Sequence, residues 1–249
     1  MTDGKKIYFV SDAHLGAPGA LSSHERERLL VEWLEMAAKD AEEIYLMGDI
    51  FDFWFEFKRL VPRGFTRFLG TLAKITDSGI RVYYFTGNHD MWIFDYLPSE
   101  TGIVLLREPL IKQIGGKTFY LAHGDGLGPF DKKYKILKSI FNSRFCQWWF
   151  KRLHPSFSFW IAHTWSTNSR KKHRLPEKPD FEKEWLVQYS RSVLEQQHID
   201  YFIFGHRHIC YQYPLNKKSR LINLGDWLIN FSYAVFDGFD VEQKKYPKP

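Results

Sequence analysis

The chain has 249 residues, 44% of them hydrophobic and 26% charged, with two cysteines. That is enough for one large domain with a buried core, and it excludes intrinsic disorder, a repeat solenoid and a disulfide framework. The formal charge of +6 would suit a nucleic-acid binder if it were spread over the surface, so its distribution along the chain matters more than its size.

Short apolar runs alternate with longer helical patterns. Residues 7–10 read as a strand that stops at Ser11-Asp12-Ala13-His14, and residues 23–38 as a helix with Leu29, Leu30, Trp33, Leu34 and Ala37 on one face. A second strand, 43–47, ends at Gly48-Asp49-Ile50-Phe51-Asp52; a helix at 63–77 precedes a strand at 81–86 that ends at Gly87-Asn88-His89-Asp90. Gly115-Gly116 reads as a hairpin turn, and the strand 117–122 after it ends at His123-Gly124-Asp125. Segment 132–174 holds eleven Lys/Arg, ten aromatics and no Asp or Glu, which leaves 24 basic and 29 acidic residues elsewhere. The whole positive excess therefore lies in one aromatic stretch. An acidic helix is expected near 180–197, then a strand at 201–204 ending at Gly205-His206-Arg207-His208, and short strands at 221–224 and 234–236. The alternation predicts an α/β fold with an antiparallel part at the C-terminus.

Five apolar runs thus end in side chains able to bind metal, at the sheet edge where α/β proteins hold ligands. Taken singly, D-x-H or G-D-x-x-D fits an ordinary cap or turn; the set is what points to one site. Its inventory is Asp12, His14, Asp49, Asn88, His123, His206 and His208. On an extended backbone His206 and His208 point the same way. A mixed nitrogen and oxygen set suits manganese, iron, zinc or nickel better than magnesium or calcium, and excludes a Cys-rich zinc site. Seven ligands exceed one tetrahedral ion and suit two ions that share a carboxylate, the arrangement that promotes in-line displacement at phosphorus.

In this order, D-x-H, G-D-x-x-D, G-N-H-D, H-G-D and G-H-x-H resemble the calcineurin-like metallophosphoesterase superfamily. The resemblance implies an α/β (α+β) four-layer sandwich of two mixed β-sheets flanked by helices. It implies that Asp12, His14, Asp49 and His208 hold one divalent ion and that Asp49, Asn88, His123 and His206 hold the other, with manganese the first expectation. Within the superfamily, Gly48-Asp49-Ile50-Phe51-Asp52-Phe53-Trp54 is similar to the second motif of the UDP-2,3-diacylglucosamine hydrolases of lipid A synthesis. That likeness implies a single domain, 1–249, carrying a helical cap at 126–175. Asn88, His89, Asp131, Ser169, Arg170, His173 and His206 would contact substrate. The chain departs from the best-known branch at His89, where Arg is usual, and at His173 and Pro176, where Asn and Lys are usual.

On this reading the enzyme hydrolyses a nucleotide-linked acyl-sugar, with His89 neutralising phosphoryl charge and protonating the leaving oxygen and Asp90 orienting His89. The basic aromatic segment has three readings: helices packed on the sandwich, an acyl-lipid cap that also meets an anionic membrane surface, or a nucleic-acid surface. Residues 153–169 carry no charge and are rich in Phe and Trp, which favours lipid, so no nucleic-acid partner is expected. No apolar run reaches the ~18–20 residues of a spanning helix, and the N-terminus lacks a signal peptide's apolar core. The expected location is cytoplasmic, peripheral on the inner face of the bacterial inner membrane. The alternatives are a phosphoesterase for another nucleotide or phosphodiester, and a scaffold without catalysis. His24, His154, His163 and His198 match no motif and read as surface or packing residues.

Overall fold

The computed structural model describes residues 4–129, 132–161, 164 and 180–247. Strands β1 (Lys6–Val10), β2 (Ala41–Leu46) and β3 (Arg81–Phe85) run parallel, joined by the crossover helices α1 (Ser23–Ala37) and α2 (Thr66–Asp77). After a short helix α3 (Tyr96–Thr101), β4 (Val104–Leu106) adds a further parallel strand. A second sheet contains β5 (Leu110–Ile114), β6 (Lys117–Leu121), β7 (Tyr201–Phe204), β8 (Cys210–Pro214) and β9 (Arg220–Leu224) in the order β5-β6-β7-β9-β8. The chain then returns to the first sheet as β10 (Ser232–Phe236) and β11 (Val241–Lys245), giving β11-β10-β1-β2-β3-β4. Both sheets mix parallel and antiparallel pairs.

Alternation along β1 sorts the layers. Ile7 and Phe9 point between the sheets and meet Phe119, Leu121, Ile203 and Ile222. Tyr8 and Val10 point the other way, into a cluster with Leu30, Trp33 and Leu34 of α1 and Phe68 and Leu72 of α2. On the outer face of the second sheet, Tyr120, Phe202 and Phe204 pack with Leu186 and Val187 of α6 (Trp185–Leu194). The result is the expected helix, sheet, sheet, helix sandwich. Glu43 of β2 also accepts from Lys112 Nζ of β5 at 2.7 Å, tying one sheet to the other.

Several elements differ from the sequence reading. The acidic residues 180–184 precede α6 instead of forming its first turn, and α2 starts at Thr66 rather than at 63. Strands β4, β5, β8 and β11 and helix α3 go beyond it, because short, polar edge strands such as Val-Glu-Gln-Lys-Lys carry little pattern. The 115–116 turn is as expected, with both glycines at positive φ (55° and 75°) between antiparallel β5 and β6.

The aromatic segment forms α4 (Lys132–Asn142), α5 (Arg144–Phe150) and a helical stretch at 155–161. Phe141 and Phe150 dock on Phe55, Met91 and Trp92, and Trp92 Nε1 donates to the Phe141 carbonyl at 2.9 Å. The second and third motifs, on which the segment rests, are therefore its neighbours in space.

Candidate metal centre

Backbone hydrogen bonds bring the five strand-end loops together. His14 N donates to Asp49 O at 3.0 Å and Leu15 N to Ile50 O at 2.8 Å, so the first two loops continue side by side beyond their strands. Gly205 N donates to His123 O at 2.9 Å, and Trp227 N to Asp12 O at 3.0 Å. Side chains complete the joins: His206 N donates to Asp12 Oδ2 at 2.8 Å, and His89 N to Asp49 Oδ1 at 2.8 Å. Asp12, His14, Asp49, His206 and His208 all have left-handed backbone, with φ between 42° and 65°. Non-glycine residues adopt it at a cost of about 1–3 kcal/mol each, which the surrounding hydrogen bonds must offset. The glycines before the motif residues leave room for these carboxylates: a Cβ on Gly87 would lie 2.6 Å from Asp49 N, and one on Gly205 2.5 Å from Asp12 Oδ2.

Asp12, His14 and His208 form one group of donors, Asp49, His123 and His206 a second, and His14, Asp49 and His89 a third that overlaps both, the atoms of each lying within 4.8 Å of one another. In the first, His14 Nε2 is 3.3 Å from His208 Nε2, and Asp12 Oδ1 is 3.7 and 3.4 Å from those nitrogens. Bonds of about 2.1 Å to one tetrahedral ion would set ligands about 3.4 Å apart, so this spacing fits. Asp49 Oδ2 lies between the first two groups, 3.8 Å from His14 Nε2 and 3.3 Å from His123 Nε2. His123 Nδ1 faces the Met47 carbonyl at 2.8 Å; donating to it leaves Nε2 free to coordinate. Asp12 Oδ1, Asn88 Oδ1 and His123 Nε2 are buried with no hydrogen-bond partner, as ligands awaiting a cation would be.

Electrostatics lead to the same conclusion. Burial alone would lower the His14 pKa, yet Asp12, Asp52 and Asp49 raise it to about 10. Burial likewise opposes Asp49, Asp12 and Asp125 at His123, and the carboxylates again win, raising it to about 10. His206, burdened by burial and by neighbouring His123, falls to about 4. The pocket thus calls for added positive charge, which divalent cations supply in place of protons.

His206 and His208 do not sit on extended backbone as expected; their left-handed turns send the two rings to different groups. Asp90 also departs from expectation. Its carboxylate accepts from Gly87 N at 2.7 Å, Ile50 N at 2.9 Å and Tyr84 Oη at 2.6 Å, stapling the second loop to the third. The group that faces His89 Nδ1 is instead the Asp52 carbonyl, at 2.9 Å. Asp52 Oδ1 lies 3.6 Å from His14 Nδ1 and 3.7 Å from His89 Nδ1, and as the second acid of G-D-x-x-D it carried a signal that sequence reasoning left without a role. Asp226, 3.9 Å from His208 Nδ1, follows the apolar run of β9 just as the other motif acids follow theirs. Arg26, buried in α1, donates to the carbonyls of His14 and Ala17 and pins the first loop; nothing in its helical setting announces this. Asp131, Ser169, Arg170, His173 and Pro176 lie outside the described residues, as does His163. His24 and His198 are exposed, as the plain reading of them expects.

Acidic and imidazole clusters at the strand ends of a two-sheet α/β sandwich define the centre of a metal-dependent phosphoesterase. Residues 5–210 match the family model for calcineurin-like phosphoesterases, and the chain belongs to that family of hydrolases. It is 38% identical over 247 residues to the UDP-2,3-diacylglucosamine hydrolase of Porphyromonas gingivalis, covering 94% of each chain. It is 29% identical to the protein of the same name from Vibrio vulnificus strain CMCP6, covering 96% of this chain and 97% of that one. Among solved structures, an archaeal phosphodiesterase superposes with a TM-score of 0.49 at 12% identity, over 96% of this chain and 98% of the other.

Proposed function

We propose that the protein hydrolyses the pyrophosphate bond of UDP-2,3-diacylglucosamine, giving UMP and 2,3-diacylglucosamine 1-phosphate. One observation carries the reading: 38% identity over 94% of the chain to a hydrolase named for that substrate. The aromatic helices docked beside the metal motifs support it, since an acyl-sugar nucleotide needs apolar and ionic surfaces side by side.

Asp12, His14, Asp49 and His208 would hold one divalent ion, and Asp49, Asn88, His123 and His206 the other, with manganese the first choice and iron, zinc or nickel next. When bound, such ions neutralise phosphoryl charge and make water nucleophilic near neutral pH. The chain's own residues do the rest. His89, its Nδ1 donating to the Asp52 carbonyl, bears a proton on its other nitrogen only as the imidazolium; in that form it gives this proton to the leaving oxygen and is left as the neutral ring. Asp90 keeps the loops in register through the backbone it binds. Replacing His89 with Ala should cut turnover about 10²–10⁴-fold with metal content near that of the wild type; loss of metal in that variant would make His89 structural instead.

The segment 126–175 serves as the cap over the acyl chains, with Asp131, Ser169, Arg170 and His173 at the substrate. Its outer face leaves Phe145 75% and Trp160 62% exposed, together with Trp148 and Trp149, and Arg152 lies over the Trp148 ring. Such a face suits an anionic membrane, on which the protein would sit peripherally at the cytoplasmic side; no helix among the described residues is long and apolar enough to cross one. The deciding experiment is product analysis with detergent-dispersed UDP-2,3-diacylglucosamine and Mn²⁺. Release of UMP, with slower cleavage of acyl-free UDP-glucosamine, is expected; equal or faster cleavage of the acyl-free compound would end the lipid reading.

A further inference from the structure

Asp125, two residues past His123, stands apart from the donor groups. Its carboxylate is buried, and Oδ2 accepts from Tyr134 Oη at 2.5 Å and from Lys138 Nζ at 2.7 Å. Tyr134 and Lys138 are four residues apart on α4, so they share one face of the helix. The opposite edge of α4 leaves Ile136 and Ile140 exposed. Close approach reinforces the joint: a Cβ on Gly126 would touch the Tyr134 ring at 3.4 Å, and Lys135 Nζ donates to the Gly128 carbonyl. The Trp92–Phe141 hydrogen bond holds the far end of the same helix. A charge-assisted pair of bonds to one buried oxygen is the strong, directional kind, and it runs from the strand end that bears His123 to the first helix of the aromatic segment.

We propose that Asp125, Tyr134 and Lys138 form a positioning joint that sets the register of α4 against the metal centre, and so how well the protein binds the acyl end of the substrate. This rests on the acyl-substrate reading above. It gives the aspartate of H-G-D a duty separate from metal binding.

The test uses the full chain with its metal, in the variants Tyr134→Phe combined with Lys138→Met, and Lys138→Arg alone. The double variant should raise KM for UDP-2,3-diacylglucosamine about tenfold or more. Its kcat and its rate on the small diester bis(p-nitrophenyl) phosphate should stay near wild type, while its Tm falls by several degrees because the buried Asp125 carboxylate loses both donors. Amides 132–142 should exchange faster with solvent while those of 117–121 do not, and Lys138→Arg alone, which keeps the charge, should retain wild-type KM and protection. An unchanged KM, equal losses on both substrates, or unchanged exchange in α4 overturns the joint. A wild-type enzyme indifferent to acyl chains would instead defeat the substrate reading. The joint would then be judged on exchange alone, and unaltered protection of α4 would overturn it.

Discussion

Replacing Asp49 with Ala should abolish turnover, by at least about 10⁴-fold, and lower bound metal from two equivalents to one or none. Asp49 is buried, and Oδ2 is within 3.8 Å of a histidine nitrogen from each donor group. The same carboxylate holds the third loop through Oδ1 and His89 N, so the Ala variant confounds loop geometry with metal affinity. Asp49→Asn separates them, because an amide oxygen still accepts from His89 N but brings no negative charge to the cations. Asp49→Asn should therefore fold like wild type and still lose metal and turnover. Metal analysis of desalted protein beside a steady-state assay provides the check. An Ala variant that keeps two equivalents of metal and a tenth of wild-type turnover would show that Asp49 does not bridge.

Glu56→Ala should be the most destabilising single change outside the centre, by about 3–5 kcal/mol. Glu56 Oε2 accepts from the backbone nitrogens of Phe94, Asp95 and Tyr96 at 2.9–3.0 Å, while Oε1 accepts from Leu97 N at 3.3 Å and Trp54 Nε1 at 3.1 Å. Helix α3 has no side-chain cap of its own, so this distant carboxylate satisfies its free N–H groups and complements its dipole. Removing it strands buried donors, each costing more than the bond was worth. Glu56→Gln keeps one acceptor and should cost about 1–2 kcal/mol. Urea unfolding should show a shifted midpoint at constant slope; a loss below about 1 kcal/mol for the Ala variant would show that water or a neighbour replaces Glu56. Because Met91, Trp92 and Phe94 pack with Phe141 and Phe150 just before the helix that Glu56 caps, the Ala variant should also loosen the aromatic helices.

Much of this protein was legible in one dimension. Continuous apolar runs such as Ile7 to Val10 and the 3.6-residue stripe of α1 reflect local geometry, so the central strands, the crossover helices and the α/β class followed from pattern, while the four-layer sandwich followed from the likeness of the motifs to a known family. The candidate donors that the structure brings together were legible for a related reason: chemistry-bearing residues recur just where apolar runs stop. Other features had no local signature. The α1 cap is local, with Ser22 and Glu25 bonded reciprocally. By contrast, α2 and α3 are capped by Glu27 and Glu56, some forty positions away in the chain. Nothing near Asp90 tells that it staples backbone instead of orienting a histidine. The ten aromatics of the basic segment look alike in composition, yet Phe141 and Phe150 are docked while Phe145 and Trp160 face outward.

Amino-acid order alone decided which side chains were available and which segments became strand or helix, because propensity and periodicity act over a few neighbours. Tertiary structure decided which oxygen faces which nitrogen. It did so by forcing Asp12, Asp49 and His206 into left-handed turns that hydrogen bonds between remote loops sustain, and such bonds form only once two sheets have closed on a common core.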